Sequence, residues 1–142
     1  EKDLLPGVIE NLTGNVLFHG IQVKPGMPTM LSVVKGTPVL SLSGNPFAVE
    51  ALFEVLAGGY LTDMEASRYL QKNQMKILKQ TFVKTGKMKR IVKGRCDESG
   101  VYLPQIQKNG QLKNGIGSNC LVIFPEGERT YTEREAVRVI RI

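Results

Sequence analysis

Two short stretches of this 142-residue chain combine residue types that can bind an anion. The first reads Lys-Pro-Gly at positions 24–26, and the second reads Ser-Gly-Asn-Pro at 43–46, between an apolar run of strand character and one of helix character. Asn45 is a favoured N-cap, and Pro46 suits the first helical position because its missing N–H would be unsatisfied there. Amide donors and the positive end of the helix dipole meet at a helix N-terminus, which suits phosphate or another oxyanion. The junction therefore predicts either a capped helix start or an anion site.

Lys24 is the cation that such a site would use. Its ammonium is mobile, and Gly44 lets a ligand come close to the backbone. In an α/β unit, sites form beyond the carboxyl ends of the strands, so the two stretches would meet if their strands are parallel neighbours. The alternative is a capped helix and a surface lysine beside a Pro-Gly turn, and the local residue types leave both interpretations open.

The elements that would position these stretches alternate between helix and strand in the first half of the chain. They are a helix within 3–14 with Asp3 as N-cap, strands at 16–23, 29–34 and 38–42, a helix from Pro46 that ends at the glycine pair 58–59, and a short helix that ends near residue 70. The helix from Pro46 is apolar nearly all round, so we expect it to be largely buried.

Beyond residue 73 the pattern changes to short extended runs separated by Gly, Asn, Asp and Glu. Several of these runs alternate apolar and polar residues, as half-buried strands do. Such a pattern is typical of a small all-β unit, either a barrel or a sandwich. We therefore predict an α/β part at 1–72 followed by a barrel-like all-β domain at 73–142.

Other features limit the class of protein. No apolar run approaches the roughly 20 residues of a membrane span, and no signal pattern is present, so we expect a cytoplasmic protein with no membrane partner. The chain begins in helix-like sequence at Glu1, which suggests that it is part of a longer protein. Cys96 and Cys120 have no neighbouring ligand or redox partner in the sequence and are interpreted as core residues. His19, the one histidine, is interpreted as structural.

The net charge of +6 is local to one segment. Residues 71–95 carry nine basic side chains and no acidic one. Such a segment could contact nucleic acid, attract a small polyanion or form a solvated surface. Phe82 is its only aromatic residue, so the stacking platform of single-strand binders is missing and nucleic acid is not the favoured partner.

Three motifs in order give a resemblance to a known family. The sequence VKPGMPT is followed by LSLSGNPFAVEALF and, near the end, by GSNCLVIFPEGE. Together they resemble the C-terminal portion of the molybdopterin molybdenumtransferases, the MoeA family that includes the gephyrin E domain. The resemblance covers nearly the whole chain, from the last part of the α/β molybdopterin-binding domain through the C-terminal β-barrel domain.

The resemblance implies an enzyme of molybdenum cofactor biosynthesis. Such an enzyme inserts molybdenum from molybdate into molybdopterin, acting on an adenylylated pterin with Mg²⁺. Its active cleft lies in a homodimer, between the α/β domain of one subunit and the barrel domain of the other. The partners implied are therefore a pterin, an oxyanion and a second copy of the chain.

Site residues follow from the resemblance where the motifs match. Lys24 is the expected catalytic residue. The expected substrate-binding residues are Lys24, Pro25, Gly26, Ser43, Gly44, Asn45, Pro46 and Lys93. No metal ligand is expected within this chain, since the acidic motifs that would hold Mg²⁺ lie upstream in the family. For that reason the chain alone is expected to be inactive.

Several positions depart from the family pattern. Ser43 replaces a proline, and Gly20 and Met27 stand where lysines are common, which lowers the positive charge of the site. Lys93 aligns with a common arginine, which keeps the charge but loses the bidentate fork, and Asn109 falls near a usual Gly-Ser pair. These departures leave two interpretations within the resemblance: a divergent active enzyme, or a pterin- or anion-binding relative without transfer activity. Molybdate and tungstate both remain open as the oxyanion.

Overall fold

The computed structural model describes residues 3–57, 73–104 and 117–142. Two short helices occur in these ranges, α1 (Leu5–Asn11) and α2 (Pro46–Leu52), and α2 continues into a π-helical turn (Phe53–Ala57). The strands are β1 (Asn15–His19), β2 (Val23–Lys24), β3 (Met30–Val34), β4 (Thr37–Ser41), β5 (Asn73–Ile77), β6 (Phe82–Lys84), β7 (Lys89–Cys96), β8 (Val101–Tyr102), β9 (Cys120–Phe124), β10 (Arg129–Tyr131) and β11 (Ala136–Arg141).

The first sheet is antiparallel and has the order β1-β3-β4. Its β3–β4 hairpin closes with Val34 opposite Thr37, so that Lys35 and Gly36 form the turn. Both turn residues have positive φ, 50° and 81°, as a two-residue hairpin of matching twist requires. The strands predicted at 29–34 and 38–42 are therefore confirmed, and they form a hairpin.

Helix α1 packs on this sheet through Ile9. The prediction of Asp3 as its N-cap was wrong, because Leu4 is the N-cap and makes no side-chain cap hydrogen bond; Asp3 Oδ1 instead accepts from the Leu5 amide at 3.0 Å. Ile9 is the buried residue of α1. A Cβ at Gly14 would lie 2.8 Å from the side chains of Ile9 and Val34, so glycine allows the close approach of helix and sheet.

The second sheet has the order β2-β7-β9-β11-β5, with β8 paired to β7, while β6 and β10 form a separate antiparallel pair. The strands of this sheet pair antiparallel except for β2, which runs parallel to β7. Strand β9 is buried at every position and lies at the centre. The all-β character predicted for 73–142 is confirmed, but the strands within the described ranges form no closed barrel.

The core occupies both faces of the second sheet. One cluster consists of Leu78, Val92, Cys96, Val101, Leu103, Cys120, Val122, Phe124, Tyr131, Val137 and Val139. The other consists of Ala51, Leu52, Ile91, Leu121, Ile123 and Ile140. Because this second cluster includes two residues of α2, elements on both sides of residue 72 share one core. The boundary between 1–72 and 73–142 stays a prediction.

The structure corrects three further expectations, which concern the burial of a helix, the length of a strand and the pairing of strands. The helix from Pro46 is not largely buried, since Val49, Phe53 and Leu56 on its outer side are exposed. The run 16–23 is not one strand, because Gly20 at φ 91° separates β1 from β2. The two stretches of interest do not follow parallel neighbours: β4 is antiparallel to β3, and β2 belongs to the other sheet.

Two further expectations concern the second predicted helix of the first half and membrane-spanning segments. The short helix predicted to end near residue 70 lies outside the described residues. Across the described ranges, no helix has the length and apolar character needed to cross a membrane.

Candidate anion-binding site

Strand β2 places Lys24 at the edge of the second sheet. Val23 pairs with Lys89 and Lys24 with Arg90 in parallel register, and the Lys89 amide donates to the Gln22 carbonyl at 3.0 Å. The side chain of Lys24 is exposed, whereas the next two residues of the chain are buried. The strand thus fixes the backbone of Lys24 and leaves its ammonium accessible.

The loop after Lys24 is held by packing and by hydrogen bonds. Gly26 has φ 113°, and an added Cβ there would overlap Leu52 Cδ1 of α2. The buried Thr29 donates to the Gly26 carbonyl through its hydroxyl at 2.7 Å and through its amide at 3.1 Å. Gly26 is therefore required both by backbone conformation and by the closeness of α2.

The Ser-Gly-Asn-Pro junction forms the start of α2. Asn45 Oδ1 accepts from the Phe47 amide at 3.0 Å and from the Ala48 amide at 3.3 Å, and Pro46 occupies the first turn. The predicted N-cap is confirmed. Because the cap already uses these two amides, the first turn of α2 offers fewer donors to an anion than the sequence pattern suggested.

Ser43 differs from its neighbours in lacking a partner. Its Oγ atom is buried, and within the described part of the chain nothing hydrogen-bonds to it. A buried hydroxyl without a partner costs about 1–3 kcal/mol. Such a group in a native fold calls for an explanation, and a ligand that accepts its hydrogen is one.

The two stretches line a single open cavity of about 330 Å³. Its walls consist of Val23, Lys24, Pro25, Gly26, Met27, Pro28, Ser43, Asn45 and Met88. Five of the eight predicted substrate-binding residues are thus brought together, although their strands lie in different sheets. Lys24 supplies the positive charge of this wall, Ser43 and Asn45 supply polar groups, and the remainder is mostly apolar.

Three predicted residues lie apart from the cavity wall. Gly44 is exposed, and a Cβ added there would meet nothing within 4 Å. Pro46 is exposed at the start of α2. Lys93 lies on β7, where its ammonium pairs with Glu50 of α2. Their assignment as substrate-binding residues stays a prediction.

Sequence reasoning missed part of the apolar wall. Met88, in the segment between β6 and β7, lines the cavity although no motif marks it. The parallel pairing of β2 with β7 accounts for its position, since Met88 directly precedes the residue opposite Val23. A pairing between strands more than 60 residues apart leaves no local signal in the sequence.

The positions that depart from the family pattern differ in whether they line the cavity. Met27 lines the cavity, so the exchange of a common lysine for methionine removes charge from the wall itself. Gly20 has φ 91° and is not part of the wall; its amide donates to the Thr29 carbonyl at 2.8 Å. Asn109 lies outside the described residues.

The two cysteines lie in the core, and the histidine lies beside a carboxylate at the surface. Cys96 and Cys120 are free and buried. Burial raises the pKa of the Cys120 thiol to about 12, and the neighbouring Cys96 adds to the rise. The interpretation of both as core residues is confirmed. His19 Nε2 lies 3.2 Å from Asp3 Oδ2 on the exposed side of β1, away from the cavity wall.

In the described part of the basic segment, residues 73–95, Lys84 is withdrawn from the surface and Phe82 packs in the core. Lys84 is buried, with its ammonium donating to the carbonyls of Gly86 and Gly127. The ring of Phe82 stacks on Phe124 with centroids 4.5 Å apart, so this aromatic contributes to the core. Neither residue is available to a nucleic-acid strand, which weakens that alternative further.

The expected Mg²⁺ was tested against the side chains present. In the ranges that the structure describes, no group of three His, Cys, Asp or Glu side chains could hold a metal ion. Since Mg²⁺ in proteins is held mainly by carboxylates, water and phosphate oxygens, these residues do not fit a dedicated site. The placement of its ligands outside this chain stays a prediction.

Comparison with known proteins supports the resemblance in sequence. No family model matches the chain. The molybdopterin molybdenumtransferase of Staphylococcus aureus (strain COL) is 25% identical over 143 residues, which covers 97% of this chain and 34% of that protein. The enzyme of the same name from Staphylococcus epidermidis (strain ATCC 12228) is 22% identical with the same coverage. The chain thus spans 34% of the length of these curated relatives.

Solved structures agree with the sequence relatives. The molybdopterin biosynthesis MoeA protein of Pyrococcus horikoshii matches 98% of this chain with a TM-score of 0.80 and 27% identity, over 34% of its own length. A molybdenum cofactor biosynthesis protein of Pyrococcus furiosus matches the whole chain with a TM-score of 0.70, and its 22% identity shows the fold alone. The resemblance to the MoeA family is confirmed, and the partial coverage fits the predicted C-terminal portion.

Proposed function

We propose that this chain is the C-terminal portion of an enzyme of molybdenum cofactor biosynthesis that inserts molybdenum from molybdate into adenylylated molybdopterin. In this proposal the cavity between the two stretches binds an anionic group of the reactants. One observation carries the proposal: Lys24 and Ser43 line the same cavity, and the buried Ser43 hydroxyl has no hydrogen-bond partner in the described part of the chain. Similarity to enzymes named molybdopterin molybdenumtransferase supports it.

The polar groups of the cavity suit an oxyanion. In this proposal the Ser43 side chain, whose Oγ atom is buried in the structure, turns toward the cavity and donates one hydrogen bond to the ligand, which also relieves the cost of its missing partner. The Lys24 ammonium adds a charge-assisted bond of roughly 1.5–3 kcal/mol. Asn45 uses its Oδ1 for the helix cap, so its Nδ2 group can donate to the same ligand.

The apolar part of the wall suits a flat ring system. Pro25, Met27, Pro28 and Met88 provide this surface, and methionine sulfur makes favourable contacts with aromatic rings. Few polar groups converging on a mostly apolar cavity is the usual composition of a small-molecule site. A pterin that carries a phosphate has both characters, so the proposed substrate class accounts for the whole wall.

The remaining elements of the proposal follow from the resemblance. They are a homodimer with a cleft shared between subunits, a cytoplasmic location, and Mg²⁺ held by residues outside this chain. Lys24 is proposed to orient the anionic group and to neutralise its charge during transfer, which is the role that a positioned cation has in oxyanion chemistry.

Substitution of Lys24 in the full-length protein tests the function. We expect Lys24→Ala to weaken the binding of adenylylated molybdopterin or molybdate by tenfold to a hundredfold, about 1.5–3 kcal/mol, with an unchanged melting temperature. Calorimetric titration measures the affinity. Lys35→Ala is the matched control, because Lys35 is exposed in the β3–β4 turn and is not part of the cavity wall. Equal affinity for Lys24→Ala and the parent would contradict the proposal.

The activity of residues 1–142 alone provides a second test. We expect no molybdenum insertion by this chain when pterin and molybdate are supplied, because the described residues offer no Mg²⁺ site and loss of the cation removes a large electrostatic term. Full turnover by the isolated chain would contradict this expectation.

The full-length protein separates the two interpretations of the resemblance. If it binds both reactants without turnover, the protein is a pterin- or anion-binding relative without transfer activity.

A further inference from the structure

Strand β7 pairs with the strand that carries Lys24 and contacts helix α2, which follows the other wall of the cavity. Its Arg90 pairs in register with Lys24 of β2, and its Lys93, three residues further on, contacts α2. The two stretches that line the cavity are far apart in the sequence and belong to different sheets, so their relative position depends on elements that touch both. Within the described residues, β7 does so through backbone pairing on one side and side-chain contacts on the other.

Lys93 makes two contacts with the first turns of α2. Its Nζ lies 2.5 Å from Glu50 Oε2 and 5.5 Å from the centroid of the Phe47 ring. The Lys93 side chain is 18% exposed and the Glu50 side chain 43%, so the ammonium is better shielded from water than the carboxylate, and it is held between that carboxylate and an aromatic face.

Phe47 links this contact to the cavity. Its ring lies under the Lys93 ammonium, while its backbone amide donates to Asn45 Oδ1 at 3.0 Å. Asn45 lines the cavity, and Ser43 precedes it by two residues. Phe47 is therefore joined to the polar wall by one hydrogen bond and a short length of chain, so a displacement of its ring also displaces Asn45.

We propose that Lys93 is a positioning residue for the cavity: by holding Phe47 and Glu50 against β7, it sets the distance between the Ser43–Asn45 wall and Lys24. This proposal rests on the anion-binding function proposed above. It assigns Lys93 an action through α2 instead of the direct substrate contact that the family resemblance implied.

A charge exchange separates these two roles. In a positioning role, Lys93→Glu alone repels Glu50 and weakens oxyanion binding about tenfold, within the coupling found in ion-pair networks. Addition of Glu50→Lys restores the pair with opposite polarity, and affinity returns to within about threefold of the parent. In a direct-contact role, the double variant lacks the contacting cation and binds as weakly as Lys93→Glu.

The measurement is calorimetric titration of full-length protein with molybdate, with melting temperatures recorded for each variant. Arg95→Glu is the matched control, since it reverses a charge on an exposed residue of the same strand. Recovery of affinity in the double variant, with Arg95→Glu close to the parent, supports the proposal. Retained affinity in Lys93→Glu overturns it, as does absence of recovery in a folded double variant. Absence of molybdate binding by the parent overturns the proposed function as well.

Discussion

The two walls of the cavity are built by opposite means. The Lys-Pro-Gly wall is fixed by backbone pairing, by a glycine whose φ and closeness to Leu52 disfavour a larger residue, and by two hydrogen bonds from Thr29. In the Ser-Gly-Asn-Pro stretch, Asn45 caps α2. The Ser43 hydroxyl has no partner among the described residues, and a Cβ at Gly44 would meet nothing within 4 Å. We infer from this difference that the first wall stabilises the fold and presents one exposed cation, Lys24. The second wall leaves polar groups available to a ligand.

The largest expected effect is on the first wall. Gly26→Ala places a Cβ against Leu52 and forces alanine to φ 113°, so we expect a loss of about 3 kcal/mol in the free energy of unfolding. Urea unfolding of the full-length protein measures this loss. Gly44→Ala on the second wall is the control, with an expected change below about 0.5 kcal/mol. Similar losses for the two variants would remove the contrast between the walls.

A smaller effect separates capping from ligand approach. Asn45→Ala removes the cap of α2 and should cost about 1 kcal/mol of stability. Gly44→Val should leave stability nearly unchanged, since a Cβ there meets nothing within 4 Å, and should reduce pterin binding less than Asn45→Ala does, because Asn45 lines the cavity and Gly44 does not. Calorimetric titration alongside melting temperatures measures both. If the two variants lose affinity only in proportion to stability, the junction is a helix start and nothing more.

The smallest effect on stability belongs to Ser43. Ser43→Ala removes a buried hydroxyl that has no partner, so the free energy of unfolding should change by less than about 0.5 kcal/mol or rise slightly. Oxyanion affinity should nevertheless fall several-fold, because a donor to the ligand is lost. Thermal unfolding and titration on the same samples give both numbers. A clear loss of stability without loss of affinity would show that Ser43 serves the fold.

Sequence reasoning succeeded where the signal is local. Asn45 and Pro46 predict the start of α2, because a helix cap depends on a few adjacent residues. The family motifs named eight substrate-binding residues, of which five line one cavity, and their role in binding stays a prediction. These successes rest on residue type and order alone.

Most of the failures concern contacts distant in sequence, although the division of the run 16–23 at Gly20 is local. The pairing of β2 with β7, which places Met88 at the cavity, has no local pattern. The exposed side of α2 carries Val49 and Phe53, which apolar composition alone assigned to the core. The contact of Lys93 with Glu50 depends on how α2 crosses the sheet. Such tertiary arrangements override the propensities that a single sequence displays.

The central claim is that one oxyanion contacts both walls at once, and a tungstate-soaked crystal of the full-length protein tests it most directly. Anomalous diffraction from tungsten locates the anion without reference to any sequence argument. We predict a peak in the cavity with oxygens within about 3.2 Å of both Lys24 Nζ and Ser43 Oγ. A peak elsewhere, or an ordered cavity that stays free of tungsten at saturating tungstate, would contradict the account.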